Sequence, residues 1–130
     1  MKVLNLISWD FKRNNDFFKL AILNGYDYWA SILDKAGIYS YVIIITCNRI
    51  EIYFRSESIP EFPIGGYVVL HEDEAIKHLL RVASGLDSMS IGENEVLRQV
   101  KEAYETLIRI HRIDKILSFL FMKAISTGKL

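Results

Sequence analysis

Tyr41-Val42-Ile43-Ile44-Ile45 is apolar at every position and β-branched at four of five. Such a run predicts a central strand buried on both faces. After Thr46-Cys47-Asn48 the pattern changes to strict alternation, with Ile50, Ile52 and Phe54 on one face and Arg49, Glu51, Tyr53 and Arg55 on the other. A second strand is predicted there, forming a hairpin with the first and placing Cys47 at its tip. Val3 to Ile7 reads as an earlier strand and Tyr67 to Leu70 as a short later one.

Between the first two strands the period lengthens. Phe17, Phe18, Leu20 and Ala21 belong to a short helix from Asn15 to Leu23 that Asn24-Gly25 ends. Trp29, Ile32, Leu33 and Ala36 follow the i, i+3, i+4, i+7 stripe of a second helix, with Gly37 where a left-handed cap belongs. Ser56 to Gly66 holds both prolines and a glycine pair, which predicts a surface loop. Glu72, Asp73 and Glu74 then open a helix whose apolar stripe is Ile76, Leu79, Leu80 and Ala83, up to Gly85. Ser90-Ile91-Gly92-Glu93 fits a capping box ahead of a further stripe, Val96, Leu97, Val100, Ala103, Tyr104 and Leu107. A last helix from about Ile113 carries Ile116, Leu117 and Leu120 on one side, while Phe119, Phe121, Met122 and Ile125 widen its apolar surface beyond one stripe. A terminal helix apolar on several faces expects a partner. The order of elements predicts an α+β fold, a ferredoxin-like antiparallel sheet packed with helices, plus C-terminal helices.

With 130 residues, 51% of them hydrophobic, the chain has the apolar mass for one core and no room for a second domain of ordinary size. Sixteen basic and sixteen acidic residues cancel, so long-range attraction of a polyanion is excluded and any contact with nucleic acid must be local. No run approaches the length of a membrane span, and no signal-type segment follows Met1-Lys2. A cytoplasmic location is expected, where a thiol stays reduced.

That matters because Cys47 is the single cysteine. A lone thiol is either a small buried hydrophobe or a nucleophile. As a nucleophile at a hairpin tip it would be accessible, Arg49 would favour its thiolate, and Thr46 and Asn48 would offer groups to orient a carbonyl or its oxyanion. Arg49 is alternatively a solvated charge at a strand edge. Among the histidines, His71 and His111 read as turn residues, whereas His78 flanks the buried stripe of its helix, either solvent-exposed or placed as a general acid beside the cysteine hairpin. One cysteine and three scattered histidines make no zinc set, so no metal is expected. The polar segment from Ser84 to Glu93 has the composition of a ligand-holding loop. In it Glu93 is either the partner in the capping box or a carboxylate in need of a cation, and Glu95 and Gln99 form an i, i+4 pair that ordinarily faces solvent.

Thr46-Cys47-Asn48-Arg49-Ile50-Glu51-Ile52-Tyr53, the block from His78 to Ser88, and the later Ile91-Gly92-Glu93 and Gln99-Val100-Lys101 resemble the N-terminal catalytic region of glutamyl-tRNA reductase. Lys19-Leu20-Ala21 and Gly128-Lys129 add a looser similarity. The resemblance implies that Cys47 attacks the ester carbonyl of glutamate on tRNA(Glu), and that hydride from NADPH reduces the thioester to glutamate-1-semialdehyde, the first step of tetrapyrrole and heme biosynthesis. It implies a catalytic role for His78 beside Cys47, and a glutamyl pocket of Thr46, Asn48, Arg49, Ser88, Glu93, Asn94, Glu95 and Gln99, with Arg49 holding the substrate carboxylate. It also implies a homodimer in the full-length enzyme and an aminomutase that takes up the semialdehyde.

The chain departs from the family pattern at Glu95, where Gln is usual, and at Arg98, where Gly is common, and Ser8-Trp9-Asp10 stands in place of an Asn-His-Lys-like stretch. No Gly-x-Gly-x-x-Gly is present, so no NADPH site is expected in this chain. The expected division is therefore a glutamyl-binding catalytic domain over 1–112, with 113–130 starting a connecting helix toward NADPH and dimerisation domains. Thioester formation is the most such a unit performs alone. Two other readings use the same residues: a non-redox cysteine hydrolase working with His78, and a ferredoxin-like RNA-binding module with Tyr53 as a stacking platform.

Overall fold

The computed structural model describes residues 2–10, 15–45, 49–83, 101–102, 104–105 and 114–128. Four strands, β1 (Val3–Asp10), β2 (Tyr41–Ile45), β3 (Arg49–Ser56) and β4 (Val68–His71), form one sheet in the order β2-β3-β1-β4. Every neighbouring pair is antiparallel. This is the strand order of a ferredoxin-like sheet, as the sequence predicts. Helix α1 (Asn15–Lys35) joins β1 to β2, and helices α2 (Glu72–Ala83) and α3 (Lys115–Gly128) follow β4.

Helix α1 is two helical pieces meeting at Gly25, whose φ of 70° and ψ of −174° interrupt the helix where Asn24-Gly25 predicts a stop. Its end is equally local in cause. Gly37 adopts φ 77°, and the Ile38 and Gly37 amides donate to the Leu33 and Asp34 carbonyls, each at 3.0 Å, in the two-bond pattern of a Schellman cap. Leu33 and Ile38 are both buried in the same cluster, the apolar contact that accompanies this cap.

The sheet is covered on both faces. On one, Leu4, Leu6, Val42, Ile44 and Tyr53 meet Ala75, Leu79 and Ala83 of α2 and Leu117, Leu120, Phe121 and Ala124 of α3. On the other, Ile7, Trp9, Tyr41, Ile43, Ile50, Ile52 and Phe54 meet Trp29, Ala30 and Leu33 of α1. The stretch 57–67 completes this second layer. Register places Val3 opposite Ser56 and Ser8 opposite Val68, so the connection from β3 to β4 must run back along the sheet, roughly 17 Å for five residues of strand. Its prolines forbid a regular helix, yet it is more than a surface loop. Phe62 is buried, Trp9 stacks near Phe62 and Tyr67 with centroids 5.5 and 5.3 Å away, and the Trp9 indole N–H donates to the Gly65 carbonyl at 3.2 Å.

The β4–α2 junction has no linker, and Glu72 turns the chain with φ 48°, a left-handed conformation for a non-glycine residue. Its side chain accepts a hydrogen bond from the Leu4 amide at 2.9 Å, just past the end of the β1–β4 ladder. That bond satisfies an amide the short β4 leaves behind. Helix α3 begins at Asp114, whose Oδ1 accepts the Ile116 and Leu117 amides at 2.8 and 3.2 Å while Oδ2 accepts from Arg55 of β3 at 2.9 Å. One carboxylate therefore both caps α3 and ties it to the sheet. Phe119 and Met122 remain exposed on α3, as the wide apolar surface of its sequence anticipates, whereas Phe121 is buried in the core and Ile116, read as part of the core stripe, is exposed. No helix among the described residues is long and apolar enough to cross a membrane.

Candidate active site

Alternation along β3 puts Arg49, Glu51 and Tyr53 on the face that α2 and α3 cover, and register puts Ser8 of β1 directly opposite Glu51. Because β3 is flanked by strands and layered on both sides, these polar groups are largely shielded from bulk water. Arg49 is 4% exposed, and Glu51 and Tyr53 are 0% exposed. The reading of Arg49 as a solvated edge charge is thereby corrected, since β3 lies inside the sheet and β2 and β4 form its edges.

A buried carboxylate requires donors, and Glu51 has several. Ser8 Oγ–H donates to Oε2 at 2.8 Å, Tyr53 O–H donates to Oε1 at 2.9 Å, and the Arg49 guanidinium lies 3.6 Å from Oε2. His78 Nε2, from α2, completes the set with a short hydrogen bond to Oε2. Burial pushes the Glu51 carboxyl up, but the hydrogen bond and charge of His78, the charge of Arg49 and the Ser8 hydrogen bond outweigh it and hold the group below the usual carboxylate range.

His78 reaches this position because α2 is rotated relative to its predicted stripe. Ala75, Leu79, Val82 and Ala83 are buried, while Ile76 and Leu80 are only partly covered. The buried face is thus shifted toward the flank that carries His78, whose side chain is 19% exposed. His78 spans two environments, with Nε2 on Glu51 and the residue lining an open pocket of about 460 Å³ with Leu70, Glu74, Lys77, Leu80 and Arg81. His71 ends β4, with Nδ1 2.8 Å from Asn5 Oδ1. A larger polar cavity of about 520 Å³, lined by Lys2, Ser40, Arg55 and Asp114 among others, lies at the other end of the sheet, where α3 is anchored.

Of the residues singled out from sequence, Arg49 and His78 are brought together, through a shared carboxylate. Thr46, Cys47, Asn48, Ser88, Glu93, Asn94, Glu95, Gln99 and His111 lie outside the described residues, though Cys47 is two positions before Arg49 in sequence. Sequence reasoning missed Glu51, Ser8 and Tyr53. The available signal was an acid in mid-strand between two isoleucines, a position that forces a buried charge to find a cation. Tyr53, proposed above as a stacking platform, is fully buried with its ring edge-on to Phe121 at 5.4 Å and has no face to offer a base. Among the described residues no group of three His, Cys, Asp or Glu is placed to hold a metal ion.

Residues 24–130 match the family described as glutamyl-tRNAGlu reductase, N-terminal domain. A glutamyl-tRNA reductase of Thermoplasma acidophilum is 60% identical over 129 residues, 99% of this chain and 32% of that protein. One from Thermoplasma volcanium is 56% identical over 100% of this chain and 32% of its own length. The solved structure of glutamyl-tRNA reductase from Methanopyrus kandleri superposes with a TM-score of 0.84 at 32% identity, covering 99% of this chain and 34% of that one. The chain spans about a third of the length of the relatives it matches.

Proposed function

This chain belongs to the family of glutamyl-tRNA reductase N-terminal domains, and from that premise we propose that it performs the acyl-accepting half of glutamyl-tRNA reduction, in the pathway toward heme. The Cys47 thiolate attacks the ester carbonyl of glutamate on tRNA(Glu), the C–S bond forms, the C–O bond to the terminal ribose breaks, and the ribose oxygen leaves with a proton. The product is a glutamyl thioester on Cys47. Arg49 binds the substrate's side-chain carboxylate, and His78 handles the proton. Thr46, Asn48, Ser88, Glu93, Asn94, Glu95 and Gln99 complete the glutamyl pocket.

The observation that carries this reading is the convergence of Arg49 and His78, distant in sequence, on the buried Glu51 carboxylate, with Cys47 two positions before Arg49 in the sequence. A largely buried charged network is costly to build in a core, and such networks cluster where they position reactive groups. NADPH, which the family resemblance brings with it, does not fit the described residues. A dinucleotide crevice needs parallel strands leading through a glycine-rich turn into a helix, and this sheet is antiparallel throughout. Hydride transfer is therefore not assigned to these residues.

The test is intact-mass spectrometry of the chain after incubation with tRNA charged with labelled glutamate. A glutamyl adduct released by hydroxylamine is expected, and it is absent in Cys47→Ala. An adduct that persists in Cys47→Ala overturns the proposal.

A further inference from the structure

His78 belongs to two neighbourhoods at once. Its Nε2 meets Glu51, while the residue also lines the open pocket of about 460 Å³ formed with Leu70 of β4 and Glu74, Lys77, Leu80 and Arg81 of α2. That volume lies in the range of small-ligand sites, and the scheme above assigns the pocket nothing. Glu74, Lys77, His78 and Arg81 stand at i, i+3, i+4 and i+7, so helical geometry stacks them on one face. Lys77 and Glu74 contribute little to the fold: their side chains are 72% and 67% exposed, and a contact of 3.8 Å between groups so exposed is weak.

The composition of this wall matches one ligand class. Leu70 and Leu80 are only partly covered and offer an apolar surface to the flat face of a base. Lys77, with the positive charge of Arg81 one turn further on, suits a phosphodiester, and the Glu74 carboxylate accepts hydrogen bonds from a ribose hydroxyl or an exocyclic amino group. An acidic peptide suits the two cations but not the carboxylate beside them. The chain carries no net charge, so a polyanion is not drawn in from a distance and has to be held by local contacts of this kind.

We propose that this pocket holds the nucleotide end of the acylated RNA, with Lys77 on a phosphodiester next to the terminal ribose and Leu70 and Leu80 against a base. The inference rests on the reading of this site as one for glutamyl-tRNA. In that reading His78 handles the proton of the leaving ribose, so the RNA side of the ester passes along the wall to which His78 belongs, and Lys77 precedes it there by one residue. Lys77 binds substrate away from the reacting carbonyl, and no bond forms or breaks in the pocket.

Two measurements test this. Amide ¹H–¹⁵N spectra of the unmutated chain are followed during titration with the unacylated trinucleotide CCA, the common 3′ end of tRNA, and shifts are expected at Leu70 and along Glu74 to Arg81. Absence of shifts there at millimolar trinucleotide overturns the proposal, as does an equal response to an oligoglutamate of the same charge, which would mark a site for acidic peptides. In acylation assays Lys77→Ala, which removes an exposed side chain, is expected to raise the half-saturating concentration of glutamyl-tRNA about 3- to 5-fold at low salt, the upper part of what one exposed ion pair supplies. It should shrink by the same factor the advantage of glutamyl-tRNA over 3′-O-glutamyl adenosine, which has no phosphodiester. The logarithmic salt dependence of half-saturation should lose ~0.7 in slope, the share of one single-strand phosphate contact, and Lys77→Arg should restore both quantities. Equal losses on the two substrates, or no loss on glutamyl-tRNA, would show that Lys77 meets no phosphate. Failure of the unmutated chain to acylate sinks the Cys47 reading instead, and the trinucleotide titration still decides the pocket.

Discussion

Replacing Asp114 separates two jobs done by one side chain. Oδ1 caps α3 by accepting the Ile116 and Leu117 amides at 2.8 and 3.2 Å, and Oδ2 pairs with Arg55 at 2.9 Å, where both side chains are only about 20% exposed (19% for Arg55 and 20% for Asp114). Loss of the cap costs about 1 kcal/mol. The ion pair lies between an exposed pair, worth under ~1 kcal/mol, and a desolvated hydrogen bond to a charged group, worth ~1.5–3, which places it at about 1–2 kcal/mol. Asp114→Ala removes both contributions and should destabilise by about 2–3 kcal/mol, roughly a 10 °C fall in Tm for a chain of this size. Asp114→Asn keeps a competent cap and loses the charge, so it should cost about 1–2 kcal/mol. Leu117, Leu120, Phe121 and Ala124 of α3 belong to the same core cluster as the sheet, so the loss should appear in a single cooperative transition. Urea denaturation followed by far-ultraviolet circular dichroism measures it, with m-values expected to stay constant. If Asp114→Ala and Asp114→Asn shift the midpoint equally, the cap contributes nothing and the partition is wrong. If neither moves stability by 0.5 kcal/mol, a threshold set near the scatter of neutral surface substitutions at about that size, the anchoring role fails altogether.

Two further outcomes are expected, one from the buried carboxylate and one from the α1 cap. Because the folded-state Glu51 carboxyl is held below its usual range, its contribution to stability is fully present above the unfolded value of about 4.3 and is lost as pH falls through the lower folded value; urea midpoints measured across the acid range should decline there, and Glu51→Gln should flatten that decline, whereas an unchanged acid limb in the variant would count against the assignment. Gly37→Ala meets no atom within 4 Å, so its cost is the left-handed backbone alone, about 1 kcal/mol, and a loss above roughly twice that in thermal melts would mean that the cap does more than turn the chain.

Much of the architecture was legible because its causes are local. Gly25 and Gly37 stop helices where only glycine takes the required φ cheaply, and the all-apolar β2 and alternating β3 follow from strands having period two. The hairpin pair and the strand order of the sheet agree with that reading. The stretch 57–67 was less legible. Its prolines and glycines announce a loop, but only the register of β1 against β3 and β4 forces that loop back across the sheet, where Phe62 becomes core.

The site divides in the same way. Residue types and spacing made Arg49 and His78 candidates, each with a solvent-exposed alternative, and the family resemblance assigned them to the site. What they touch was decided in three dimensions. Glu51 meets Ser8 across 43 positions and His78 across 27, through the pairing of β1 with β3 and the roll of α2 about its axis. Neither has a local cause. The roll depends on which of two adjoining apolar stripes finds the better seat on the sheet, and the buried network exists because β3 became a central strand, which obliges its carboxylate to collect every donor within reach.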